Sequence, residues 1–263
     1  KKVKNYSDNE LKNISLKYLY LKFNISSSDL LVNKSVKWSK EIQEDVDNDI
    51  KLLTNKIPVQ HITNSEFFYD KIFYVTNKTL IPRPETEELV NLIIKSEKDH
   101  QKKNILDIGT GSGCIAVTLS NHLKSNVIGI DASKEAIAVA NNNNVLTSNK
   151  VNFLHSKVED YNPEISFDIL VSNPPYIPKV DKDKVDENVL INEPHSALFV
   201  DLDPIYFYKT IIEFSKKHLN KKGKIYFEIN QNYINEINNL LQNYEFEVIK
   251  DFYGHKRFVI IKT

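Results

Sequence analysis

The chain has 263 residues, enough for one full-size α/β domain and a smaller unit. Thirty-five basic residues balance thirty-five acidic ones, which argues against unspecific attraction to a nucleic-acid backbone, and 41% hydrophobic with 27% charged content excludes disordered and fibrous classes. One cysteine excludes an internal disulfide, no Cys-x-x-Cys or His-x-x-x-His offers a zinc framework, and neither a leader pattern nor a membrane-length apolar run is present, so a cytoplasmic protein without membrane contact is expected.

From Ser7 to about Asn55, apolar residues including Leu11, Ile14, Leu30, Leu31, Val36, Trp38, Ile42 and Val46 recur mostly at spacings of three and four between polar breakers. This predicts a small helical domain over 1–65. A linker over 66–84 follows, in which Phe67, Phe68, Tyr69, Ile72, Phe73, Tyr74 and Val75, broken by Asp70-Lys71, read as a hairpin. Ile81-Pro82-Arg83-Pro84 then imposes an extended segment before a helix near Glu85.

Over 85–263 short apolar runs alternate with helical stretches. Strands are predicted at 104–108, 126–130, 152–155, 168–172, 224–229, 246–250 and 258–262, with helices such as 115–123 and 134–142 separating the first four. The expected architecture is α/β, a seven-stranded doubly wound sheet with right-handed crossovers and a small N-terminal helical domain. The run Asn141 to Asn144 reads as a polar helix end rather than a binding tract.

Ile105-Leu106-Asp107-Ile108-Gly109-Thr110-Gly111-Ser112-Gly113 places three glycines between a strand and a helix, where backbone must approach a nucleotide-like ligand closely. Asp131 closes the second strand about 20 residues on, where an acid hydrogen-bonds ribose hydroxyls in this topology. A dinucleotide-type G-x-G-x-x-G from Gly109 would need glycine or alanine at Cys114. Asp107-x-Gly109-x-Gly111 instead resembles the S-adenosylmethionine motif of class I methyltransferases. Asp107, Gly109, Thr110, Gly111, Gly113 and Asp131 are therefore the candidate cofactor contacts. Cys114 reads as a packing residue, since no neighbouring histidine completes a nucleophilic pair.

The fourth strand runs into Asn173-Pro174-Pro175-Tyr176, whose place at a carboxyl end of a doubly wound sheet puts it beside the glycine loop. Neither proline nitrogen can donate a hydrogen bond, so the turn is stiff and rich in acceptors. The Asn173 side-chain oxygen and the Pro174 carbonyl can each accept one N–H of a planar nitrogen and aim its lone pair at a methyl group. Tyr176 is expected to cover a face of that group. This chemistry suits a glutamine amide or the exocyclic amine of adenine or guanine equally; the neutral chain argues against the second.

The sequence resembles the PrmC/HemK family of peptide chain release factor N5-glutamine methyltransferases along nearly its whole length. Besides the cofactor and Asn-Pro-Pro-Tyr motifs, the likeness rests on Pro58-Val59-Gln60, Glu66-Phe67, Leu80-Ile81-Pro82-Arg83-Pro84-Glu85-Thr86-Glu87, Glu193-Pro194, Ala197-Leu198, Phe207-Tyr208, and Asp251 with Gly254 and Arg257. The resemblance implies a class I methyltransferase domain of Rossmann-like type that uses S-adenosylmethionine and releases S-adenosylhomocysteine. It also implies a substrate, the glutamine of the Gly-Gly-Gln loop of class I release factors, recognised in part by the N-terminal helices. Asn173 and Pro174 carry over as glutamine-binding positions with Pro175 and Tyr176 beside them, and Gly109, Asp131 and Asn173 as cofactor contacts. Arg83 carries over as a shaper of the pocket wall, with a structural ion pair as the other reading. Lys157 stands where many members have an acid near the adenine, and Val158 is nominated for that contact. Asp201, Pro204 and Glu228-Ile229-Asn230-Gln231 also depart from the usual pattern. His195 follows Glu193-Pro194, near the expected pocket.

Overall fold

The computed structural model describes residues 6–32, 35, 37–98 and 101–263; Val36 lies outside the described residues. The N-terminal periodicity forms α1 (Asp8–Phe23), α2 (Ser27–Leu31) and α3 (Lys40–Thr54). Polar residues written just ahead of each helix start it: Ser7 and Glu10, then Ser26 and Asp29, form reciprocal capping boxes, and Ser39 caps α3. None of the three helices contains a fully buried residue. A fourth helix, α4 (Val59–Thr63), packs between α1, α3 and the hairpin that follows. Five residues are too few for a visible period, so the sequence pattern misses it.

The hairpin pairs β1 (Ser65–Phe68) with β2 (Lys71–Tyr74) and places Phe68 and Phe73 edge to face in the core. Pro84 opens α5 (Pro84–Ser96), as its fixed φ and missing N–H favour. The central elements are β3 (Asn104–Ile108), α6 (Cys114–Leu123), β4 (Asn126–Asp131), α7 (Lys134–Leu146), β5 (Asn152–His155) and β6 (Phe167–Ser172). They are followed by β7 (Ile177–Pro178), α8 (Glu187–Asn192), α9 (His195–Leu198), β8 (Phe199–Val200), α10 (Tyr206–His218), β9 (Leu219–Glu228), α11 (Ile234–Leu241), β10 (Glu245–Lys250) and β11 (Lys256–Lys262).

Seven strands form one sheet in the order β10-β11-β9-β6-β3-β4-β5, with β11 antiparallel to both its neighbours and the other pairings parallel. Strand alternation separates two cores. Ile105, Ile169, Val171 and Tyr226 face the cluster shared with α5, α6 and α7, while Leu106, Leu170, Ile225 and Phe227 face the one shared with α10 and α11. Order reverses between β3 and β6, which pair directly, so the ends of these two strands form the crevice where ligands bind in such sheets.

One expectation changes and another is sharpened. The segment 156–166 between β5 and β6 has no helix; it carries Pro163 among polar residues and no apolar stripe that a helix could bury. The asparagine run does lie in the last turns of α7, which ends at Leu146, but it is not wholly solvated, because Asn143 is fully buried. Asn143 Oδ1 accepts from Tyr74 N at 2.7 Å, and its Nδ2 donates to Tyr74 O at 2.9 Å and Ser112 O at 2.8 Å, so it clamps the hairpin to the glycine loop.

Candidate active site

The glycine loop is fastened to the end of β4: the N–H groups of Gly109 and Thr110 both donate to Ile130 O, at 2.9 and 3.0 Å. A Cβ at Gly109 or Gly111 would meet nothing within 4 Å, so their backbone faces open space at positive φ. Gly113 does other work. As the left-handed cap of α6 it packs so closely that a Cβ would lie 2.8 Å from Phe153 Cζ. Asp131 Oδ2 accepts from Gly111 N and its Oδ1 from Ser133 N, both at 2.9 Å. Burial pushes its pKa up against these two donors. Asp107 lies beneath the loop, fully buried, and accepts from Thr110 Oγ1 at 2.6 Å. Burial raises its carboxyl to about 7, opposed by the Thr110 hydroxyl and the Ala116 N–H.

Ser172 Oγ donates to Ile108 O at 2.7 Å, tying the end of β6 to that of β3 and setting Asn173 beside the loop. Asn173 Nδ2 donates to Thr86 Oγ1 at 3.2 Å, and Thr86 Oγ1 donates to Glu228 Oε2 at 2.7 Å. Glu228, at the end of β9, is buried; desolvation raises its pKa to about 7, against the pull of the Thr86 hydroxyl and Arg257.

Between these elements lies a cavity of about 800 Å³ lined by Gly109, Thr110, Gly111, Asp131, Val158, Asn173, Pro174, Pro175 and Arg83. Thr86, Lys157, Ala197, Phe207 and Ile211 complete much of the wall. Arg83 serves both roles considered for it. It lines the cavity and makes a close ion pair with buried Glu193, whose Oε2 also accepts from Ile81 N at 3.0 Å. Cys114 touches the cavity, but burial pushes its thiol up to about 12, which leaves almost no thiolate.

Three nominated residues stand behind the wall. Asp107 and Gly113 shape the loop from below. Tyr176 does not line the cavity; it packs against the core cluster that includes Tyr208 and Phe227, close enough to Glu228, Arg257 and Arg83 to feel their charges. Burial pushes its phenol up to about 12. Its ring therefore lies behind the turn rather than on the cavity wall. His195 also faces away, with Nε2 3.0 Å from Leu190 O.

The family model described as "Methyltransferase small domain" matches residues 86–201. The release factor glutamine methyltransferase of Flavobacterium psychrophilum is 43% identical over 218 residues, covering 79% of this chain and 76% of that protein. That of Bacteroides thetaiotaomicron is 38% identical over 97% of this chain and 93% of its own. The chain belongs to the release factor glutamine methyltransferase family. Among solved structures, a ribosomal protein L11 methylase from Lactobacillus delbrueckii subsp. bulgaricus superposes with a TM-score of 0.50 at 19% identity, over 71% of this chain and 81% of the other, which shows the shared class I methyltransferase fold.

Within this family member, most of the residues nominated from local motifs line one cavity and three stand behind its wall, while several of their supports come from far along the chain. Thr86, Glu193 and Glu228 stood inside quoted motifs, yet nothing local to them tells that they hold Asn173 and Arg83. Phe207 and Ile211 reach the wall from α10, where their spacing reads simply as an apolar helix face.

Proposed function

We propose that this methyltransferase moves a methyl group from S-adenosylmethionine to the side-chain N5 of the glutamine in the Gly-Gly-Gln loop of class I release factors. The observation that carries the reading is the orientation of Asn173: its Nδ2 is engaged by Thr86, which leaves Oδ1 as the group offered to the cavity. A planar amide nitrogen with two N–H groups is the complement of two acceptors, Asn173 Oδ1 and the Pro174 carbonyl.

The residues present fit the cofactor. Open space at Gly109 and Gly111 lets a ligand reach bare backbone, and Asp131 brings two carboxylate oxygens, each with one lone pair already used, to the same wall. Gly109, Thr110 and Gly111 would hold the methionine end, Asp131 the ribose hydroxyls and Val158 the adenine face. When bound, the cofactor supplies an electrophilic methyl on a sulfonium.

An amide nitrogen is a poor nucleophile because its lone pair is delocalised. The protein contributes orientation: two acceptors fix the NH₂ plane, and proximity of this kind supplies roughly 7 to 11 kcal/mol in favourable cases. As the nitrogen attacks it becomes positive and its N–H groups become stronger donors, so both hydrogen bonds strengthen in the transition state. One of these protons then leaves to solvent. The stiffness of Pro174-Pro175 and the brace of Tyr176 keep the acceptors from following the substrate as it moves.

The N-terminal helices are the proposed docking surface. Leu31 is 84% and Trp38 53% exposed, apolar area that a partner would cover. A nucleic-acid amine is the alternative chemistry, but the zero net charge gives it no support and the family relation points to protein. The reading is tested by offering labelled S-adenosylmethionine with a purified class I release factor and with one whose Gly-Gly-Gln glutamine is replaced. Label should enter only the first; equal label in both would refute the glutamine assignment.

A further inference from the structure

A carboxamide and a carboxylate have nearly the same shape, so a pocket that separates glutamine from glutamate must do so by its pattern of donors and acceptors. Asn173 is ambiguous in this respect, since its own carboxamide carries an oxygen on one side and an NH₂ on the other. The surrounding hydrogen bonds remove the ambiguity. With Glu228 ionised, its Oε2, on a buried side chain, takes the single hydroxyl proton of Thr86 at 2.7 Å. Thr86 Oγ1 then has only lone pairs to offer, and it faces Asn173 Nδ2 at 3.2 Å. An Asn173 turned the other way would set Oδ1 against that oxygen, two acceptors without a proton between them.

Two neighbours that could have favoured a carboxylate do less to do so. Pro174 and Pro175 have no N–H. The Arg83 guanidinium, which would welcome a carboxylate, is paired with buried Glu193. We propose that Thr86, anchored by Glu228, is a positioning residue that locks Asn173 as an acceptor and thereby makes the site selective for a carboxamide over a carboxylate. The inference rests on the glutamine reading above and adds to it the element that enforces the choice.

The test uses the full chain and purified release factors ending the loop in Gly-Gly-Gln or Gly-Gly-Glu, with binding measured by calorimetry in the presence of S-adenosylhomocysteine and turnover by labelled methyl transfer. Thr86→Val keeps the shape and loses the hydroxyl; Thr86→Ala loses it without adding a second methyl; Thr86→Ser keeps it. Both hydroxyl-free variants should lose about tenfold in kcat/KM on the Gln substrate and about tenfold in their preference for binding Gln over Glu, because Nδ2 is then free to turn to the cavity. S-adenosylhomocysteine affinity should hold, and Thr86→Ser should restore both quantities to near the wild-type values. A generally damaged site would weaken both release factors alike, so unchanged preference in Thr86→Val and Thr86→Ala overturns the proposal. So does loss of preference in Thr86→Ser. Failure of the wild-type enzyme to label the Gly-Gly-Gln release factor would instead overturn the underlying function, and the two failures are told apart by that arm alone.

Discussion

At the scale of single residues, the site depends on buried polar groups whose ionisation the fold discourages. Glu228 has a folded-state pKa of about 7, above its ordinary 4.5, with burial as the main cause. A raised carboxyl means the folded state holds the proton more tightly than the unfolded chain. The stability tied to that proton is complete below about pH 4.5 and lost as pH rises through about 7. The stability of the wild-type protein relative to Glu228→Gln should therefore fall between about pH 5 and 8, by at most about 3 kcal/mol. Urea unfolding of both proteins across that range checks it, and a difference that is flat with pH contradicts the assignment. Asp107, also raised to about 7, contributes in the same direction in both proteins and cancels in the comparison.

At the scale of elements, the three loop glycines look alike in sequence and differ in structure. Gly109 and Gly111 border open space, whereas Gly113 caps α6 at φ +81 with Phe153 and Ala140 against it. Gly113→Ala should cost on the order of 2–4 kcal/mol, combining left-handed strain with overpacking. Gly254→Ala, at φ +87 in the β10–β11 turn with nothing within 4 Å, should cost only the backbone part, about 1–2 kcal/mol. Chemical denaturation compares them, and equal losses would show that Phe153 yields freely. This contrast marks the limit of reading a chain locally. Strands, capped helices, the glycine loop and the Asn-Pro-Pro-Tyr turn are legible because each is written in neighbouring residues. The clamp made by Asn143, the Arg83–Glu193 pair and the Thr86–Glu228 support join residues far apart in sequence, and only the folded sheet makes them neighbours. The position of Tyr176 has the same cause: the motif says that an aromatic ring is present, and the packing of β9 and α10 decides which way it is held.

At the scale of the whole molecule, a sheet whose order reverses between β3 and β6 brings a cofactor-type loop and an acceptor-rich turn to the same crevice. The N-terminal helices α1 to α3 contain no fully buried residue, and Leu31 and Trp38 in this region are exposed. No described helix is long and apolar enough to cross a membrane. The proposed division of labour has the sheet supply the reaction and the helices recognise the protein substrate. Its most direct test is to incubate a class I release factor with this enzyme and S-adenosylmethionine, digest it, and locate the added methyl by fragmentation mass spectrometry. The account predicts one methyl, on the side-chain nitrogen of the Gly-Gly-Gln glutamine; a methyl on any other residue, or an unmodified peptide, would contradict it.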